Sequence, residues 1–66
     1  MKEPIKPEWE KYYKTLERIR KSGITNMWGA ASYLARLENI DEKLASKVLI
    51  NWIQNYDELN KKFGWQ

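Results

Sequence analysis

The chain predicts an all-α fold, a small three-helix bundle. Three observations predict it. Apolar residues recur every three or four positions in three successive stretches. Stop-and-start signals separate those stretches: Ser22-Gly23 before Thr25-Asn26, and Asn39 before Asp41. No run alternates apolar and polar residues as a half-buried strand would.

Residues 1–6, with Pro4 and Pro7 nearby, read as an extended N-terminal arm; residues 7–66 read as one helical domain. The first helix is predicted over about 7–22. Pro7 suits its first turn, where a missing N–H is no loss. Trp9, Tyr12, Tyr13, Leu16 and Ile19 form its apolar stripe. Lys11, Lys14, Arg18 and Lys21 lie almost opposite, flanked and diluted by Glu10 and Glu17. Gly23 ends the helix in the left-handed conformation, and Ile24 folds back toward Ile19.

Thr25 or Asn26 caps a second helix over about 26–38, carrying Met27, Ala30, Ala31, Leu34 and Leu37 at helical spacing. Gly29 inside it costs about 1 kcal/mol against Ala, which close approach of a neighbouring helix would offset. Asn39 ends this helix in the left-handed region, Ile40 follows as an apolar contact, and Asp41 caps the third helix. That helix carries Leu44, Ala45, Val48, Leu49, Trp52 and Tyr56 inward, with Ile50 and Ile53 on its flank or outside. It ends near 55, where Asp57 caps a short fourth helix, or it runs on to Phe63. The continuous helix is the preferred expectation. Gly64 stops it, and Trp65 either folds back or stays exposed. The expected core is Tyr13, Leu16, Ile19, Met27, Ala31, Leu34, Ala45, Val48, Leu49 and Trp52.

Composition narrows the function classes. At 66 residues the chain is near the lower limit for folding alone, and four Trp and four Tyr compensate through large buried area or serve as binding surface. The net charge of +3 permits nucleic acid or an acidic protein as partner without demanding either. The N-terminus lacks the apolar run of a signal peptide, and no stretch is long enough to span a membrane, so the expected location is the cytoplasm. Histidine and cysteine are absent, which removes the commonest general base, thiol chemistry and the usual zinc ligands. Glu8 with Glu10, and Asp57 with Glu58, share no helical face; Ser22, Ser32 and Ser46 have only lysines as conceivable bases. The expectation is a non-enzyme with no metal or cofactor.

The segment TNMWGAASYL, followed about ten residues later by a helix of the type AxxVLxxWI, resembles a family of small helical proteins encoded by bacteriophages and prophages. Thr25, Asn26, Met27, Gly29, Ala30, Ala31, Leu34, Ala45, Leu49 and Trp52 carry the resemblance, which spans Gly23 to about Tyr56. Ser32 stands where many members have proline, and Trp28 where phenylalanine is expected. The resemblance implies a phage origin and a helical fold; it assigns no activity.

Two readings of function follow. In the first, the chain is a binding module that docks on a larger host or phage protein through an aromatic and small-residue surface. Its candidate residues are Trp28, Gly29, Ser32, Tyr33, Ile50 and Trp65. Small phage proteins of this kind often bind and redirect host proteins, which is an analogy and names no target. In the second, helices two and three form a helix-turn-helix. Residues 34–49 fit the pattern: Ala35 is the small packed residue, Asn39 takes the turn, and Ala45 and Val48 face the core. Lys43, Ser46, Lys47 and Asn51 would then face DNA, with Lys14, Arg18 and Lys21 as a second basic patch. Asp41 and Glu42 oppose this, since they put negative charge at the helix end that meets phosphate. A homodimer is compatible with either reading.

Overall fold

The computed structural model describes residues 3–23 and 29–65. Pro7 opens the helical part of the chain, in a 3₁₀ turn Pro7–Trp9 closed by a 3.0 Å bond from the Trp9 N–H to the Lys6 carbonyl. The turn leads directly into α1, Glu10–Ser22. Gly23 ends α1 at φ 66, a conformation that costs glycine little. Helix α2 spans Ala30–Glu38 and α3 spans Glu42–Gln54. Between them Asn39 sits at φ 54, ψ 49, and the Ile40 N–H donates to the Ala35 carbonyl at 3.0 Å, which is the closing bond of a Schellman end. Asp41 takes the N-cap position of α3 in extended backbone, but its side chain makes no capping hydrogen bond. Helix α4 spans Tyr56–Phe63 and is stopped by Gly64 at φ 64.

The all-α class therefore holds, with no strand among the described residues, but those residues form four α-helices instead of three. The continuous third helix is corrected by a break at Asn55, two residues before the Asp57 cap of the alternative. Asn55 leaves helical geometry at φ −112, ψ 17. The reason is local competition: its side-chain amide donates to the Asn51 carbonyl one turn back, at 3.0 Å. Gly29 stands at the N-cap of α2 in right-handed helical geometry, at φ −89, ψ −7, within a 3₁₀ turn that runs into the helix. The Met27, Thr25 and Ile24 assignments lie outside the described residues.

Helix α2 packs against both α1 and α3, α1 packs against α3, and α4 rests on α3. The core takes Tyr13, Leu16 and Ile19 from α1, Ala30, Leu34 and Ala35 from α2, Ala45, Val48 and Trp52 from α3, and Leu59 from α4. Removing a side chain as large as Trp52 costs about 3–5 kcal/mol, a large share of what so small a domain has. Ala31 and Leu49, expected inside, are only half-buried, and Leu37 is 63% exposed. Ala35 turns inward on α2, so the buried face centres on Leu34, and Leu37 falls on its flank. Two side-chain bonds link neighbouring helices. The Thr15 hydroxyl donates to Glu38 at 2.6 Å, tying α1 to the end of α2, and Ser32 donates to Glu42 at 3.2 Å. No helix among the described residues is long and apolar enough to cross a membrane.

The left-handed residue at the α2–α3 turn gives a direct check. Asn39→Gly should leave the urea unfolding free energy unchanged within about 0.5 kcal/mol, whereas Asn39→Ala should lower it by about 1 kcal/mol.

Candidate functional site

The N-terminal arm is held against α3 by the side chains of Tyr13, Asn51, Gln54 and Asn55. Asn51 is buried, and its amide donates to the Pro4 carbonyl at 2.9 Å while its oxygen accepts the Tyr13 hydroxyl at 2.6 Å. The same hydroxyl accepts the Lys6 N–H at 3.1 Å. Asn55, also buried, donates to the Glu3 carbonyl at 2.8 Å, and the Glu3 N–H donates to the Gln54 side chain at 3.3 Å. Residue 3 thus meets residues 54–55 and residue 4 meets residue 51, so the arm runs antiparallel to α3. Burial pushes the Tyr13 hydroxyl above the ordinary phenol range, although the Lys6 N–H works in the other direction. The hydroxyl consequently remains a donor to Asn51 at neutral pH.

This docking leaves a groove of about 500 Å³ between arm and helix. Trp9, Leu44 and Ile50 supply its apolar lining, Lys6 and Lys47 flank them, and Glu3 lies with Gln54 at the far end. Ile50 is 56% exposed, and Ile53, one turn on, is 48% exposed. Residues three apart share a helical face, so the solvent side of α3 carries two adjoining isoleucines beside the groove. Leu37, at the end of α2, is the other large apolar side chain exposed among the described residues.

A second polar cluster locks α1 to α4. Glu17 is buried at 3% exposure, and Arg20 grips it twice, at 3.0 and 2.7 Å. The Tyr56 hydroxyl donates to the same carboxylate at 3.0 Å. Burial alone would raise the Glu17 carboxyl, but the bonds from Arg20 and Tyr56 outweigh it and hold it below the usual carboxylate range. Burial, and then the Glu17 carboxylate, push the Tyr56 hydroxyl up. Trp65 folds back here, stacked on Phe63 at 5.0 Å between ring centroids and 6.1 Å from Tyr56.

The predicted site residues do not form one patch. Trp28 lies outside the described residues. Gly29 is half-buried before α2, Ser32 is exposed and bonded to Glu42, and Tyr33 is half-buried with the Arg36 guanidinium 6.0 Å from its ring centre. Trp65 belongs to the α4 cluster, so among the described interaction candidates Ile50 alone lines the groove. Lys43, Ser46 and Lys47 are exposed on α3, and Lys14, Arg18 and Lys21 on α1. Lys14 pairs with Glu10 at 3.4 Å and lies 5.5 Å from the Phe63 ring centre. Asn51 is corrected: it was placed on a DNA-reading face, but both ends of its amide are spent inside the protein. Glu17 is corrected too, from a surface charge diluting the basic stripe to a buried anchor. Sequence spacing carried a signal for both. Asn51 and Asn55 fall in register with Val48, Trp52 and Leu59, and Glu17 adjoins Leu16 one turn after Tyr13.

No protein-family model matches the chain, and neither a curated protein nor a solved structure matches it.

Two outcomes check the polar anchors. Asn51→Ala should cost about 2 kcal/mol, because it leaves the buried Tyr13 hydroxyl without its acceptor and releases the Pro4 carbonyl, and should speed amide exchange at Lys6. Glu17→Gln should cost about 1–3 kcal/mol at neutral pH. The lowered carboxyl contributes stability above its unfolded value of about 4.3, lost as pH falls through the folded value. The gap in thermal midpoint between the parent chain and Glu17→Gln should therefore shrink as pH falls below about 4.3.

Proposed function

We propose that this chain is a non-catalytic binding module of phage type that docks on a host protein through the outer face of α3 and the adjoining arm. The observation that carries this reading is the exposure of Ile50 and Ile53 on one face of a helix whose inner face holds asparagines. A domain this short of aliphatic core gains nothing for its own stability from isoleucines left in water. Their use lies in an interface, where apolar burial follows binding. The aromatic and small-residue surface expected from sequence is narrowed in this reading to Ile50 and its neighbours.

A helix-turn-helix DNA binder is the second reading, and one feature favours it. Three residues, 39–41, join α2 to α3, and Lys43, Ser46 and Lys47 stand exposed on the helix that would enter the major groove. Against it, Ile50 and Ile53 occupy the face that would read base edges, and Asp41 and Glu42 lie at the end nearest phosphate. A homodimer through the α3 face fits either reading.

Titration of a fluorescent duplex at 50 and 150 mM salt separates the two. The module reading expects no salt-sensitive binding, and recovery of a specific host protein on immobilised chain that Ile50→Asp abolishes while Lys43→Ala with Lys47→Ala retains it. Micromolar duplex binding that falls steeply with salt and is lost with the two lysines would replace it with the DNA reading.

A further inference from the structure

The groove between arm and α3 is polarised, and its polarity specifies an occupant. Its two ends differ. The arm runs antiparallel to α3, so Glu3 meets Gln54 at the C-terminal end of the helix, and Trp9 reaches Leu44 and Lys47 toward the other. Lys6 lies with its ammonium 4.9 Å from the Trp9 ring centre, over the apolar lining. Lys47 stands exposed on the α3 wall of the same groove, one turn after Leu44. Among the described residues, neither ammonium has a carboxylate within ion-pair distance. Two cations therefore flank an apolar recess, and the groove's own acid sits at the opposite end.

The recess is held open by the fold. The arm that forms one wall is fixed by four hydrogen bonds, two donated by Asn51 and Asn55 and two accepted by Gln54 and Tyr13, so the wall is in place before any partner arrives. A preformed wall spares a ligand the cost of ordering it. A volume of about 500 Å³ lies in the range of sites that take a few side chains.

We propose that this groove binds a short acidic and apolar segment of a partner protein, one large apolar side chain entering between Trp9, Leu44 and Ile50 and adjacent carboxylates meeting Lys6 and Lys47. The assignment rests on the binding-module reading and gives its partner a chemistry. Charge complementarity selects an acidic segment, and the net charge of +3 attracts one from a distance. The apolar lining separates a peptide from a DNA duplex, whose backbone phosphates need the lysines but have no use for Trp9, Leu44 and Ile50.

The test is a nuclear magnetic resonance titration of the full chain, labelled with nitrogen-15. The probes are a synthetic eight-residue peptide of alternating Glu and Leu with a central Phe, its Lys-for-Glu counterpart, and a twelve-base-pair duplex. The acidic peptide should shift the Trp9 indole N–H and the amides of Leu44, Lys47 and Ile50, with a dissociation constant below 1 mM. Lys47→Glu and Ile50→Asp, both at exposed positions, should each weaken it at least tenfold. Lys61→Glu, the same charge change on α4, should weaken it less than twofold, and the basic peptide should leave the groove signals unmoved. Shifts confined to Trp65, Tyr33 or the α1 lysines would overturn the groove assignment and leave the binding module standing. Silence with both peptides, together with duplex-induced shifts at Lys43, Ser46 and Lys47, would overturn both.

Discussion

The hydrogen bond from the Tyr13 hydroxyl to the Asn51 side chain is the contact on which the rest of this structure depends. It joins α1 to α3 through the middle of the domain, at 2.6 Å and out of water. Both partners are then committed further: the hydroxyl takes the Lys6 N–H, and the asparagine gives its amide to the Pro4 carbonyl. A buried polar group is tolerable only when its bonds are complete, because the low-dielectric interior magnifies the cost of any left open. The arm is thus part of the interior's polar balance, since it supplies partners to groups that would otherwise be stranded beneath it.

Helix α3 inverts the usual division between inside and outside. Asn51 and Asn55 are buried, whereas Ile50 and Ile53 face solvent. Each half of the inversion has its own cause. The asparagines serve the arm and bend the chain into α4, and the isoleucines contribute nothing to the core that Leu34, Val48, Trp52 and Leu59 already fill. Departures from local consistency concentrate where a protein meets something other than itself. Here the departure borders a groove whose second wall is the arm, so the arm's anchors and the exposed isoleucines occupy two sides of one helix.

The parts of this fold legible in the sequence are those where the backbone makes a demand that few residues meet. Gly23, Asn39 and Gly64 all take positive φ, and each was recognisable as a helix end on that ground. The apolar stripes gave the element types and most of the core. What escaped were the polar residues that turn inward. Asn51, Asn55 and Glu17 look like surface residues in composition, and only their register with Val48, Trp52 and Tyr13 marks them as inward-facing. Their partners, the backbone of the arm and the Arg20–Tyr56 pair, are far from obvious in one dimension: Asn51 and Pro4 are 47 positions apart. The break at Asn55 was legible as one of two alternatives, and the choice between them was not, since it follows from what the side chain bonds. The groove could not be read at all, because it exists only once the arm has been laid along α3.

The arm is gripped by its main chain. Asn51 and Asn55 reach carbonyl oxygens, and Gln54 and Tyr13 take N–H groups, so none of these bonds reads a side chain of the arm. Glu3 and Lys6 can therefore be exchanged for other residues while the path of the arm stays the same. Sequence drift at these positions would re-tune the charge along one wall of the groove without touching the core beneath it. That separation leaves a small region beside the groove in which side chains can diversify at little risk to folding.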